Sequence, residues 1–234
     1  IKEHHFKADI DAIIKASNRH TKLIFIANPN NPTGSWLTRD ETLRLIHSIA
    51  PHTLLVIDEA YGEYAFDDPD IIGYQSALEL VDQYPNLCVL RTFSKIHGLA
   101  GLRVGWGYAS RDIINTLNRA RSPFNLSTVA GWVASHAVSD DEHVEKSRLT
   151  NRTQQKRLQN GLQTLGIDSL QSAGNFILAD FKTPERADLC VKKLLTQNIF
   201  IRSMRAYDLA QYVRISCGVE QQQKTLLQTL KNLL

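Results

Sequence analysis

Six polar side chains stand just beyond or beside runs of apolar residues, at spacings that could bring them together. Asn31 lies in the turn-rich segment after Leu23-Ile24-Phe25-Ile26-Ala27, and Asp58 and Tyr61 follow Leu54-Leu55-Val56-Ile57. Ser94 and Lys95 follow Leu87-Cys88-Val89-Leu90, and Arg103 opens the next run eight residues after Lys95. Residues at the carboxyl ends of strands in an open α/β sheet share one edge, where ligand sites form. One acid, one lysine, one arginine and several hydrogen-bonding groups on one edge suit a phosphorylated carbonyl compound. The lysine amine can form a Schiff base, and a guanidinium with a hydroxyl can grip a phosphate.

The elements that must position these groups are legible from pattern. The continuous apolar runs read as buried strands, and Arg103-Val104-Gly105-Trp106-Gly107 reads as a fourth. Thr38 and Glu41 form a capping box that opens a helix through about Ile49. A second helix is predicted over about 112–121. Strands alternating with helices predict an α/β fold: a mostly parallel sheet sandwiched by helices on both faces. After Pro123 the texture changes. A helix is predicted over 127–138, and Ser139 with Glu142 gives a second capping box for a long charged helix to about Leu165. A smaller C-terminal α+β domain follows. Its strands are Phe176–Ala179, Ile199–Arg202 and Tyr212–Ser216, with one helix after Thr183-Pro184 and a terminal one from Glu220. The expected division is a large domain over 1–122, connecting helices over 123–150, and a small domain over 151–234.

Composition excludes several classes. The chain has 234 residues, 27 Lys+Arg against 24 Asp+Glu and 43% hydrophobic content, enough for a sizeable core. A formal charge of +3 does not call for a nucleic-acid partner, and no apolar run reaches the roughly 18 residues of a membrane span. Cys88, Cys190 and Cys217 are odd in number and far apart, which argues against a disulfide framework or zinc site and for a reduced, cytoplasmic setting. The eight histidines, His4 and His5 among them, show no metal-ligand spacing, and no metal site is expected. Asp67-Asp68-Pro69-Asp70 reads as a solvated loop and 140–157 as a solvated helix face. The glycines at 98, 101, 105 and 107 precede a strand instead of joining strand to helix, so they fail the test for a dinucleotide fingerprint and read as close-packing positions.

The exact residues say more than their spacing. Asn30-Asn31-Pro32-Thr33-Gly34, then Asp58-Glu59-Ala60-Tyr61, then Ser94-Lys95 with Gly98 and Arg103, resemble in order the signature of fold-type I pyridoxal-phosphate aminotransferases. The stretch Arg91-Thr92-Phe93-Ser94-Lys95 through Gly98-Leu99-Ala100-Gly101-Leu102-Arg103 is most similar to the histidinol-phosphate aminotransferase branch. The resemblance runs from about residue 20 to the end.

That resemblance implies roles. Lys95 would hold pyridoxal 5'-phosphate as a Schiff base and then shuttle a proton. Asp58 would pair with the pyridine nitrogen and keep the ring an electron sink. Asn31 and Tyr61 would hydrogen-bond the ring's phenolic oxygen, while Ser94 and Arg103 would bind the phosphate. Arg214 matches the family's substrate-anion arginine, and Arg202 a second arginine of the histidinol-phosphate branch. His97 stands where relatives carry an aromatic residue, which implies packing instead of catalysis. The implied reaction moves an amino group from histidinol phosphate to 2-oxoglutarate, giving imidazole acetol phosphate and glutamate, in a homodimer. Alternatives on the same scaffold are an aromatic amino-acid aminotransferase, a threonine-phosphate decarboxylase and a non-enzymatic cofactor-sensing regulator domain. The chain begins with Ile1 and has one methionine, Met204. A longer parent polypeptide is therefore expected, whose upstream part would supply a phosphate cradle, a stacking aromatic and a closing segment.

Overall fold

The computed structural model describes residues 6–233, so His4 and His5 lie outside the described residues. The chain divides into two compact units: described residues up to Asn30 with Ser35–Arg148, and Asn31–Gly34 with 149 onward.

In the first unit, four strands lie in the order β1 (Leu23–Ala27), β2 (Leu54–Asp58), β3 (Leu87–Thr92) and β4 (Gly105–Ala109). β1, β2 and β3 are parallel, and β4 returns antiparallel beside β3. Alternate residues of β2 and β3 face opposite ways, as the two-residue strand period requires. Leu55, Ile57, Leu87 and Val89 pack on Leu45 and Ile46 of α2 (Arg39–Ser48), beside α1 (Ile10–Ala16). Val56 and Cys88 pack with Ala109 and, from α4 (Arg111–Ala120), Ile113 and Ile114. Each fully buried aliphatic side chain contributes about 1.5–3 kcal/mol. The Thr38 capping box forms at the start of α2. Thr38 N–H donates to Glu41 Oε2 at 2.7 Å, and Glu41 N–H to Thr38 Oγ1 at 3.3 Å.

Between these elements lie α3 (Gly62–Ala65) and α5 (Thr128–Ala137), and α6 (Asp141–Thr164) runs on into the second unit. There, β5 (Asp168–Ser169), β6 (Phe176–Asp180), β8 (Tyr212–Ser216) and β7 (Arg202–Ser203) form an antiparallel sheet in the order β5-β6-β8-β7. Ile177, Ala179, Val213 and Ile215 pack on Leu158 and Leu162 of α6, with α7 (Pro184–Leu195) and α8 (Glu220–Leu233) on the same side.

Several expectations change. Within the described residues β1 is not the buried strand expected: it lies at one end of the sheet, with Phe25 68% exposed and Ile26 its one buried residue. β4 begins at Gly105, so Arg103 precedes it, in the left-handed region at φ 53°. The cap of α6 is Asp140, whose carboxylate accepts from His143 N–H at 3.1 Å; an anion suits the positive helix terminus. Ser139 instead donates to His136 carbonyl at 3.4 Å, where α5 ends. The strand expected over 199–202 shrinks to Arg202–Ser203, because Ile199 N–H is spent closing α7 on Leu194 carbonyl at 3.0 Å.

The three thiols are not a disulfide set: all are free, and burial pushes each upward, Cys217 to about 12. No described helix is long and apolar enough to cross a membrane. Among the described residues no cluster of three or more His, Cys, Asp or Glu could hold a metal ion.

Candidate active site

The first unit gathers five of the expected residues at one sheet edge. Asp58 is the last residue of β2, between Ala27 of β1 and Leu90 of β3. It is exposed, and its Oδ1 accepts from Ala60 N–H at 2.9 Å, which closes a tight turn. The turn leads to Tyr61, whose largely buried ring lies 5.2 Å from Lys95 Nζ, centroid to nitrogen. That spacing lets the ring face attract the ammonium.

Lys95 is held by a compact loop after β3. Thr92 Oγ1 accepts from Ser94 N–H at 3.1 Å, Gly98 N–H donates to Lys95 carbonyl at 3.0 Å, and Leu99 N–H to Phe93 carbonyl at 2.9 Å. Gly98 sits at φ +70°, where a side chain would strain the loop. Arg103 turns back over it, its Nη1 donating to Ser94 Oγ at 3.2 Å and to Ala100 carbonyl at 2.7 Å. A left-handed arginine stores strain of about 1–3 kcal/mol, and this backbone presents the guanidinium beside the hydroxyl. His97 stacks on Phe93 with centroids 4.8 Å apart, a packing contact as expected. Burial and the neighbouring His143 and Arg91 hold its imidazole below the usual histidine range.

In the second unit, Arg202 and Arg214 are register partners across β7 and β8. Directly opposed residues of an antiparallel pair put their side chains on the same face about 4.5–5.5 Å apart at Cβ. Arg214 alternates with the core residues Val213 and Ile215, so this face is the one turned away from α7 and α8. Its guanidinium lies 5.1 Å from the Phe176 ring centroid, and Nη1 donates to Asn31 Oδ1 at 2.6 Å. Arg214 Nε is buried without a hydrogen-bond partner among the described residues. Two cations on one face, with the neutral Asn31 amide as the hydrogen-bond acceptor found for Arg214 among the described residues, leave positive charge that an anion can answer. Asn31 is exposed and belongs to the same unit as these arginines.

A third cluster went unnoticed in the sequence. Glu59, next to Asp58, is completely buried and accepts from Ser76 Oγ at 2.7 Å and Ala77 N–H at 2.6 Å. Arg91 of β3 gives it two more hydrogen bonds, from Nη2 at 2.8 Å and Nε at 3.2 Å. Arg91 Nη1 also pairs with Glu63 at 3.1 Å. Burial lifts the Glu59 carboxyl above its ordinary range, opposed by the Arg91 charge and the hydrogen bonds; burial works against the Arg91 charge too, but Glu63 and Glu59 outweigh it and hold Arg91 more firmly cationic. The available signal was alternation. If Asp58 faces out at the end of a strand, the acid after it faces in and needs a cation, and Arg91 is on the adjacent strand.

The fold, an open α/β sheet with a lysine, an aspartate and a serine–arginine pair at one edge, defines a class, and comparison with known proteins agrees. The chain belongs to the aminotransferase class I and II family, whose model matches residues 1–230. It is 38% identical over 229 residues to histidinol-phosphate aminotransferase 1 of Nitrosococcus oceani, covering 98% of this chain and 60% of the relative. It is 44% identical over 212 residues to the histidinol-phosphate aminotransferase of Paracoccus denitrificans, covering 91% and 56%. Among solved structures, the Sinorhizobium meliloti histidinol-phosphate aminotransferase in complex with pyridoxal-5'-phosphate superposes with TM-score 0.88 at 28% identity, covering 97% of this chain and 61% of that one. The chain thus spans about three fifths of the length of the relatives it matches.

Proposed function

We propose that this chain carries the cofactor and substrate-anion groups of a pyridoxal-phosphate-dependent aminotransferase acting on histidinol phosphate with 2-oxoglutarate. The observation that carries the reading is the convergence on one sheet edge of the Lys95 amine, the Asp58 carboxylate and the Arg103–Ser94 pair. This donor set fits a phosphorylated pyridine aldehyde: an amine for the aldehyde, an anion for a cationic ring nitrogen, and a guanidinium with a hydroxyl for the phosphate. When bound, the cofactor supplies an electron sink for the pair left on the donor's Cα as its proton departs.

The protein's own groups do the rest. Lys95 Nζ would hold the aldehyde as a Schiff base, with loss of water, and would serve as the base and acid for the migrating proton. Asp58 would hold the ring nitrogen's proton, Ser94 Oγ and Arg103 would anchor the phosphate, and Tyr61 and Asn31 would each be a hydrogen-bonding group for the phenolic oxygen. Arg214 and Arg202 grip the donor's phosphate, and the same guanidinium groups accept the carboxylates of glutamate or 2-oxoglutarate. A homodimer and a cytoplasmic setting belong to the same proposal.

Borohydride reduction of the complete protein loaded with pyridoxal phosphate, followed by peptide mass mapping, tests the cofactor half. The expected label is a pyridoxyl group on Lys95, and a label elsewhere or none would overturn the reading. Replacing Lys95 with Ala should lower turnover by about 10²–10⁴-fold through lost proton transfer alone. Titration with histidinol phosphate, phenylalanine and glutamate, followed by the cofactor's absorbance, tests the donor. Conversion by phenylalanine but not histidinol phosphate would make it an aromatic amino-acid enzyme. Release of carbon dioxide from threonine phosphate would make it a decarboxylase.

A further inference from the structure

We propose that the buried Glu59–Arg91 pair is a positioning device that fixes the Asp58 and Lys95 loops against each other. The inference rests on the cofactor reading above.

Its basis is a single carboxylate with two anchors. Glu59 lies between Asp58 and Tyr61, and its backbone N–H donates to Leu90 carbonyl of β3 at 2.9 Å. Its side chain turns inward to Ser76 Oγ and Ala77 N–H, which pins the turn carrying Asp58 and Tyr61 to the 3₁₀ turn Ala77–Leu80. The same Oε2 takes both hydrogen bonds from Arg91, three residues before Ser94 and four before Lys95. Arg91 Nη2 also donates to Ser76 Oγ at 2.9 Å, and Nη1 reaches Glu63 on α3, just after Tyr61. The loop after β2 and the end of β3, from which the Lys95 loop departs, therefore meet on one charge cluster.

Gly62 shows how little slack there is. A Cβ there would meet Tyr74 Oη at 2.9 Å and Glu59 Cβ at 3.2 Å. Loss of the carboxylate leaves Asp58 tied by its own tight turn and by the β2 backbone. It removes the side-chain link that sets Asp58 and Tyr61 relative to Lys95. Glu59 is completely buried and Ser76 nearly so, so neither reaches the open edge as Asp58 does. The pair acts through its neighbours and is not itself catalytic.

The test uses the complete protein with pyridoxal phosphate as the probe, in the variants Glu59→Gln, Arg91→Lys and Ser76→Ala. Three quantities are read: the thermal midpoint, the dissociation constant for pyridoxal phosphate, and the pH midpoint of the bound cofactor's absorbance band. Glu59→Gln keeps the shape and loses the charge. It should weaken cofactor binding about tenfold, the equivalent of one charge-assisted hydrogen bond, and displace the pH midpoint. Arg91→Lys should restore part of the loss seen on removing the cation altogether with Arg91→Met. Ser76→Ala, the mildest change, should weaken binding about two- to threefold in a folded protein.

A folded Glu59→Gln protein with unaltered cofactor affinity and pH midpoint would reduce the pair to a structural role and overturn the proposal. If Glu59→Gln does not fold, unaltered values in Ser76→Ala overturn it equally. A wild-type protein that takes no pyridoxyl label on Lys95 is a different result, which strikes the cofactor reading and this inference together.

Discussion

Two arginine clusters in this chain are built on opposite terms. Arg91 is enclosed by acids: it contacts Glu59 at 2.8 Å and Glu63 at 3.1 Å, and every donor on its guanidinium that the structure pairs goes to a carboxylate or to Ser76. Arg214 faces a neutral amide and an aromatic ring, with Arg202 as its register partner and no ion pair to either arginine among the described residues. A cation whose charge is answered within the fold is committed to architecture. A cation left with neutral company keeps its charge for something that arrives.

The largest expected effect tests the enclosed cluster. Arg91→Met strands a fully buried Glu59 carboxylate and should destabilise the first unit by about 3–5 kcal/mol in urea unfolding at neutral pH. The sign of its pH dependence is fixed. Burial already raises Glu59, and removing Arg91 removes the first of the influences that lower it. A raised folded-state value means stability that is present at low pH and lost as pH rises through that value. The deficit against wild type should therefore shrink on acidification. The double variant Arg91→Met with Glu59→Gln should recover most of the loss, and failure to recover would mean that shape, not charge, dominates the cluster.

Arg214→Ala comes next and tests the open cluster. It should leave unfolding and cofactor affinity nearly untouched while weakening binding of the anionic substrate by about 1.5–3 kcal/mol. The check is KM for histidinol phosphate beside Kd for pyridoxal phosphate, and equal losses in both would erase the contrast. Thr38→Ala belongs to neither cluster and calibrates the comparison. Losing the capping box should lower stability by about 1 kcal/mol with no change in substrate binding. Arg202→Ala should have the smallest effect, about 0.2–1 kcal/mol in substrate binding, and should diminish further with added salt because the side chain is exposed.

How much of this was legible in the sequence depended on whether the signal was local. The β1, β2 and β3 runs, the Thr38 cap and the residues at the strand ends depend on a few neighbours, and they read correctly to within a residue or two. Lys95, Asp58, Tyr61, Ser94 and Arg103 were nominated from spacing and resemblance and do share an edge. Features that need a partner distant in the chain were hidden. The exposure of Phe25 depends on which strand ends the sheet. The opposition of Arg202 and Arg214 depends on an antiparallel β7–β8 register that no pattern near either residue encodes. Glu59 was passed over because its role depends on Ser76 and Arg91, 17 and 32 residues away. Ser139, with Glu142 three residues on, fits the capping-box motif, yet Asp140 takes the α6 cap because its carboxylate suits the helix terminus better.

The guarded thiols have a practical use. A sulfhydryl held near 12, as at Cys217, carries almost no thiolate at neutral pH, and Cys88 and Cys190 are shifted the same way. Maleimide chemistry on the folded chain should therefore be slow at these three cysteines, of which Cys88 and Cys190 are also buried. A single cysteine placed at the 97% exposed Phe124 would react ahead of them and serve as a handle for a fluorophore or spin label.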